Sequence, residues 1–403
     1  MPAPGDGSPS VRCVGSGLYA AFDRFPSPKG AATHLGAWAP TLAERVDPLV
    51  LAVLGDASMP GWQREGRIEI VRDRRTGADP LTRAIAFGRA VTALADRRDD
   101  LVLAQARDPW GAAGLGASRA VRRGDVPLVF EVNGLPSIEL PVAWPGLTPA
   151  TLAKITALED RCLRSADAVV VPSGVLAALL RARGVPDERL HVIPNGATVA
   201  SSPPPRPADA PERYVVYVGA VQPWQGVDVA LAAMRRLADL DVALVVCAAA
   251  PPKRTRSLRA LSRRLGVEDR VVWHHGVDRT EVAAWLAGAA ASLAPLRSGA
   301  RNVTQGCCPL KVLESLAAGT PVVASDLPAV REIMRDDEHG RLVPPDRPDA
   351  LARALRVLLD HPELGARWGE AGRRHIADHL SWRHSCERLA AVHDGLGSGD
   401  VRA

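Results

Sequence analysis

Aromatic side chains make up only 4% of the 403 residues, while 47% of the chain is hydrophobic and Ala, Arg, Gly and Pro abound. Its cores must therefore be filled by small and branched aliphatics, the habit of α/β proteins. The six cysteines (Cys13, Cys162, Cys247, Cys307, Cys308, Cys386) contain no C-x-x-C spacing. That argues against a zinc site or a disulfide framework and for a reducing, cytoplasmic setting. No apolar run reaches the roughly 18 residues of a membrane span. The opening "MPAPGDGSPS" lacks the basic and apolar regions of a secretory signal. Neither sign of charge dominates, with 50 basic residues against 45 acidic ones and a net +5. Scattered charge of this kind argues against nucleic acid as a partner. It leaves room for an anionic small substrate and for peripheral membrane contact at most. The expectation is a soluble protein, monomer or homodimer, long enough for two domains of about 200 residues each.

What is present is an alternation. "SVRCVG", "LVLAVLG", "IEIVRD", "LVLAQA", "PLVFEVN", "AVVVPS" and "LHVIPNG" predict strands in the first half. "RYVVYVGA", "VALVVCAAA", "RVVWHHG", "ASLAPL" and "TPVVASD" predict strands in the second. Segments between them, such as "VDVALAAMRRLADL" and "PDALARALRVLLD", have helical periodicity. Strands alternating with helices predict parallel sheets, here two of them. The proline-dense residues 195–213 mark the joint. The expected plan is a domain over 1–195 and a second over 196–376, with 196–213 as linker and a last helix within 377–403. Two doubly wound domains facing across a cleft would bind ligand at the carboxyl ends of their strands.

The stretch "CCPLKVLESLAAGTPVVASD", Cys307 to Asp326, carries chemistry. Pro309 suits a helix start, and Leu310, Leu313, Leu316 and Ala317 form an apolar stripe. Gly319 and Pro321 end the helix, and "PVVAS" is a buried strand. Lys311 and Glu314 are left as neighbours on one face at the helix start. A helix N-terminus attracts anions, a lysine strengthens that pull, and a carboxylate there accepts hydrogen bonds from sugar hydroxyls. The plainer reading is a solvated lysine and a helix-dipole acid.

The stretch "GCCPLKVLESLAAGTPVVASDLPAVREIM…EHGRLVPP" closely resembles the donor-site signature of family-4 glycosyltransferases, which have the GT-B fold. "FDRFPSPKGAATHL", "AQARDPWGAAG", "LEDRCLRSADAVVVPSGVLAALLRARGV", "VIPNG" and "YVGAVQPWQGVDVALAAM" extend the resemblance over nearly the whole chain. It implies an acceptor-binding first domain, a donor-binding second domain and a last helix packed back on the first. It also implies sugar transfer from a UDP-, GDP- or dTDP-linked donor with retention of configuration, and with neither metal nor cofactor. The acceptor stays open between a small molecule and a glycan. Under the same resemblance Glu314 accepts the ribose hydroxyls. Cys307, Cys308, Pro309 and Leu310 face sugar and diphosphate, Gly30 and Ala31 let the first domain's backbone approach phosphate, and Gly219 belongs to the donor site. Gly276 and Val277 lie near the base, while Arg107, Glu131 and Asn133 face the reacting sugar.

Several positions depart from the family pattern. Gly306 stands where a second glutamate is usual, Ala220 and Gln225 where an arginine and a lysine are usual, and Arg107 where a histidine is usual. Lys311, Arg301 and Arg107 are the cations that restore the missing charge. A sugar-nucleotide epimerase or phosphorylase on the same scaffold, and a nucleotide-sugar-binding protein without turnover, are the alternatives.

Weaker signals have plainer readings. "VGSGLYA" matches a dinucleotide fingerprint, but Pro26 and Pro28 stand where its helix would begin. "DLD" at 239–241 precedes a strand rather than following one, and His375 with His379 lacks a third metal ligand. Lys253, Arg254, Arg256, Arg259, Arg263 and Arg264 predict a solvated helix face, His34 a surface helix position, and His274 with His275 packing at a strand end.

Overall fold

Two parallel sheets are built from the buried aliphatic runs. The computed structural model describes residues 15–76 and 79–397. The first sheet comprises β1 (Ser16–Arg24), β2 (Leu49–Leu54), β3 (Trp62–Glu65), β4 (Ile68–Asp73), β5 (Leu101–Ala106), β6 (Leu128–Glu131), β7 (Ala168–Val171) and β8 (Leu190–Val192). Its order is β3-β4-β2-β1-β5-β6-β7-β8, parallel except for the antiparallel edge pair β3–β4. The second comprises β9 (Tyr214–Gly219), β10 (Ala243–Ala248), β11 (Val271–His275), β12 (Ala291–Ala294), β13 (Val322–Ser325) and β14 (Gly340–Val343). Its order is β11-β10-β9-β12-β13-β14, parallel throughout. Strands such as "AVVV" and "VVAS" are buried at every residue, which explains why they are apolar runs rather than alternating ones.

Strand order reverses beside β1 and β5 in one sheet and beside β9 and β12 in the other. Crevices open at such points, outside the carboxyl ends of the strands. Asp23 lies near the end of β1 there, and the loops after β5 and β9 carry Arg107 and Ala220.

Two sequence expectations fail locally. The first strand was placed on "SVRCVG", but β1 starts at Ser16; Cys13 and Val14 lie outside the described residues. Gly17 is therefore a strand residue, where a Cβ would stand 2.7 Å from Val46 Cγ2. Its glycine serves packing, which disposes of the dinucleotide reading. The edge strand "WQRE" is short and mostly exposed, so no hydrophobic period announces it.

The chain passes between the domains twice, side by side. Ala197 N–H donates to Leu380 O at 3.0 Å and Trp382 N–H to Ala197 O at 3.3 Å. A Cβ at Gly196 would lie 2.4 Å from Trp382 N, so only glycine lets the crossings touch. The final helix, Trp382–Gly397, lies on the first domain, where Leu389 and Val392 share a core with Trp38 and Leu42. Trp38 Nε1 donates to Ser385 Oγ at 3.1 Å, and His393 Nε2 meets Gln105 Oε1 at 2.8 Å.

Candidate active site

A cleft of about 1170 Å³ lies between the domains, and both switch points open into it. Its second-domain wall is the start of the Leu310–Ala317 helix. Pro309 sits one residue ahead of that helix, and the amides of its first turn have no partner within it. Lys311 is 8% exposed, with Nζ 2.8 Å from Tyr217 Oη, 2.6 Å from Gln225 Oε1 and 4.1 Å above the Tyr217 ring. Tyr217 Oη itself donates to Ala220 O, so it can only accept from Lys311. Two of the three ammonium hydrogens are thus engaged and one is free for a ligand. Burial lowers the Lys311 ammonium to about 7. Glu314, half-buried on the same face, makes no side-chain hydrogen bond among the described residues. Burial pushes its carboxyl up to about 7, against the opposing pull of Arg279 and Lys311. Gly219, at φ +120°, passes the lysine where a Cβ would be 3.5 Å from Cε. Val277 lines the cleft, whereas Gly276 is exposed at the end of β11 and does not.

The first-domain wall centres on Glu131, 1% exposed at the end of β6. Its Oε2 accepts from Tyr19 Oη at 2.6 Å and Gln105 Nε2 at 3.2 Å. Its Oε1 faces His34 Nε2 at 2.8 Å and Arg107 Nε at 3.3 Å, and accepts from Asn133 Nδ2. Burial alone would raise the carboxyl, but the His34 charge and hydrogen bond, with Arg107 and Tyr19, hold it below its ordinary range. Arg107 also pairs with Asp23. Asp108 caps the Pro109–Gly116 helix, accepting from Trp110 N at 2.9 Å and Gly111 N at 2.8 Å. Burial raises its carboxyl to about 6.

The walls touch at several points. Arg301 Nε reaches Glu139 Oε1 at 2.6 Å and its Nη1 donates to Gly306 O at 3.0 Å. Gln305 accepts from Leu135 N at 2.9 Å and donates to Glu139 at 3.0 Å. Glu332 receives the N–H groups of Gly174 and Val175, at 2.8 and 3.0 Å. A Cβ at Gly30 would be 2.7 Å from Leu310 Cδ1, so the neighbour that requires this glycine is a leucine of the opposite wall. Ala31, Cys307 and Cys308 line the cleft beside it. Gly306 has φ +71°, and a Cβ there would stand 2.8 Å from Val175 Cβ. The cross-domain contact thus accounts for the glycine where glutamate is usual.

His34 was expected on the surface and is 2% exposed, between Glu131 and Asn195. Its partners Glu131 and Asn195 lie 97 and 161 residues away, and helical periodicity could not show them. Asn195 stands in the Pro194-Asn195-Gly196 turn signal at the joint, and nothing in the sequence shows its reach to His34. The remaining signals keep their plain readings. Asp239 pairs with Arg356 at 2.7 Å, His274 lies against Trp285 with centroids 4.5 Å apart, and the six cations of 253–264 are exposed. His375 stacks on His339, and no group of three metal-ligating residues is arranged to hold an ion among the described residues. No helix there is long and apolar enough to cross a membrane.

Comparison with known proteins follows the same division. The Glycosyltransferase Family 4 model matches residues 28–201 and the Glycosyl transferases group 1 model residues 212–361. D-inositol 3-phosphate glycosyltransferase of Xylanimonas cellulosilytica is 31% identical over 291 residues, 68% of this chain and 67% of that one. Among solved structures, sucrose-phosphate synthase from Thermosynechococcus elongatus superposes with TM-score 0.79 at 19% identity, over 95% of this chain and 100% of that one. Anabaena HepE in complex with UDP-glucose gives 0.71 at 16% identity, over 94% and 99%.

Proposed function

The chain belongs to glycosyltransferase family 4 and has the GT-B fold; from that premise we propose that it moves a hexosyl group from a nucleoside diphosphate sugar to an acceptor. The reading includes retention of configuration and independence of metal. The observation that carries it is the half-satisfied pair on the second-domain wall. Lys311 has a spare hydrogen and Glu314 an unbonded carboxylate, side by side at a helix start that opens on the switch point. A diphosphate placed there meets the ammonium and the first-turn amides, and a ribose diol meets the carboxylate. Arg301 is the second cation within reach, once phosphate competes with Glu139 for it.

Lysine and amides stabilise the charge that develops on the leaving diphosphate, the main electrostatic demand of the reaction. In the retaining scheme the acceptor hydroxyl attacks from the face the diphosphate leaves. Arg107 and Asn133 line that side of the cleft, and Glu131 fixes their orientation. The relative from Xylanimonas, named for an inositol phosphate, makes phosphorylated polyols the first acceptors to try.

The test is product formation. UDP-, GDP-, ADP- and dTDP-sugars are incubated with phosphorylated polyols, with and without EDTA, and products are resolved by mass and anomeric configuration. A glycoside with the donor's configuration, formed equally in EDTA, is expected. An inverted product, loss in EDTA, or an isomerised sugar nucleotide would each overturn the corresponding part of the reading.

A further inference from the structure

The two walls are joined by a buried chain of polar groups. Glu131 Oε1 faces His34 Nε2 at 2.8 Å, and His34 Nδ1 faces Asn195 Oδ1 at 2.8 Å. Asn195 Nδ2 then donates to the carbonyl of Cys308 at 2.9 Å. His34 belongs to the Gly30–Ala43 helix, Asn195 to the first crossing between domains, and Cys308 to the loop that enters the Leu310–Ala317 helix. All four residues are less than a tenth exposed.

The polarity of the chain is determined. A carbonyl only accepts, so the nitrogen of Asn195 points to Cys308 and its oxygen points to His34. His34 Nδ1 is therefore the donor to Asn195 Oδ1, while its Nε2 lies 2.8 Å from the Glu131 carboxylate. The ring is clamped from the sides by Trp38, 4.1 Å away between centroids, and by Trp382 of the second crossing at 5.8 Å. A tilt of the domains that moved the crossing would break the bond to Cys308 or the bond to His34.

We propose that His34 and Asn195 are positioning residues. They hold the Gly306–Pro309 loop at the donor side in register with the Glu131 cluster at the reacting side, so the loop is ordered only while the domains are closed. Neither touches the reacting atoms. The role rests on the transferase reading for its purpose, but the link itself can be measured without any substrate.

Two variants cut the chain at successive links: Asn195→Asp leaves the Glu131 cluster whole, and His34→Gln keeps a donor beside Glu131. Asn195→Asp keeps an acceptor for His34 and removes the donor to Cys308. His34→Gln places an N–H near the Nε2 position and removes the group facing Asn195. Hydrogen exchange is followed on the unliganded full chain, with the melting temperature, and then repeated with UDP. About tenfold faster exchange of amides 306–308 and 310 is expected in both variants, with first-domain strands as protected as in the wild type. With UDP, the wild-type loop should gain more protection than either variant. Unchanged exchange at those amides overturns the proposal. So does faster exchange spread over both domains, which would make Asn195 and His34 general supports. If UDP protects nothing in the wild type while both variants free the loop, the link stands and the UDP-donor reading is at fault.

Discussion

The two walls of the cleft are built on opposite principles. On the first-domain wall every charge is answered. Glu131 has five donors around it, and Arg107 bridges Glu131 and Asp23. On the second-domain wall Glu314 has no side-chain hydrogen bond among the described residues, and Lys311 keeps a free hydrogen. The protonation behaviour follows: Glu131 is held low, while burial drives Lys311 and Glu314 both to about 7. Paired charges maintain shape, and a group left without a counterpart awaits a ligand. One sequence thus divides support and recognition between two faces a few residues deep.

The sharpest way to break this contrast is to remove a charge from each wall. Glu131→Gln leaves Arg107 and His34 buried with less countercharge and should cost about 3–5 kcal/mol of stability, read by denaturant unfolding. Acid should do the same by degrees. The folded value lies below the unfolded one, so the contribution is full above about 4.5 and disappears as pH falls through the folded value. Glu314→Ala should leave the melting temperature unchanged or higher, yet weaken a nucleoside diphosphate by about 1.5–3 kcal/mol, the worth of hydrogen bonds to a charged group.

Gly306→Glu restores the residue usual in the family, and on this account it gains nothing. The position has a left-handed φ and faces Val175, so the change should cost about 1–3 kcal/mol of stability without raising donor affinity. The smallest effect concerns pH. Lys311 in the free protein loses its proton above about 7, whereas a bound diphosphate requires it. Affinity should therefore fall by at most about tenfold per pH unit above 7. Lys311→Met should flatten that limb in titrations at several pH values.

These differences also explain what could be read in advance. The Leu310–Ala317 helix, its glycine stop and β13 are local, with the apolar stripe, Gly319 at φ +76° and Pro321 within one short stretch, and the sequence displays them. Lys311 and Glu314 were legible because helical spacing places them together. The Glu131 cluster is assembled from β1, β5, β6 and the Gly30–Ala43 helix, so its members share no periodicity. Arg107, Glu131 and Asn133 could be named as strand-end residues facing a cleft, but their partners Tyr19, Gln105 and His34 could not. Cross-domain contacts were the least visible. Gly30 against Leu310 and Gly306 against Val175 show their packing only once both domains are in place.

The most direct test of the division between support and recognition is calorimetric titration of UDP, GDP, ADP and dTDP into wild type, Glu314→Ala and Lys311→Met, with melting temperatures on the same samples. One nucleotide should bind the wild type, both variants should bind it at least tenfold more weakly, and neither should melt lower than the wild type. Wild-type affinity in Glu314→Ala, or a fall in melting temperature that accounts for the lost binding, would contradict that division.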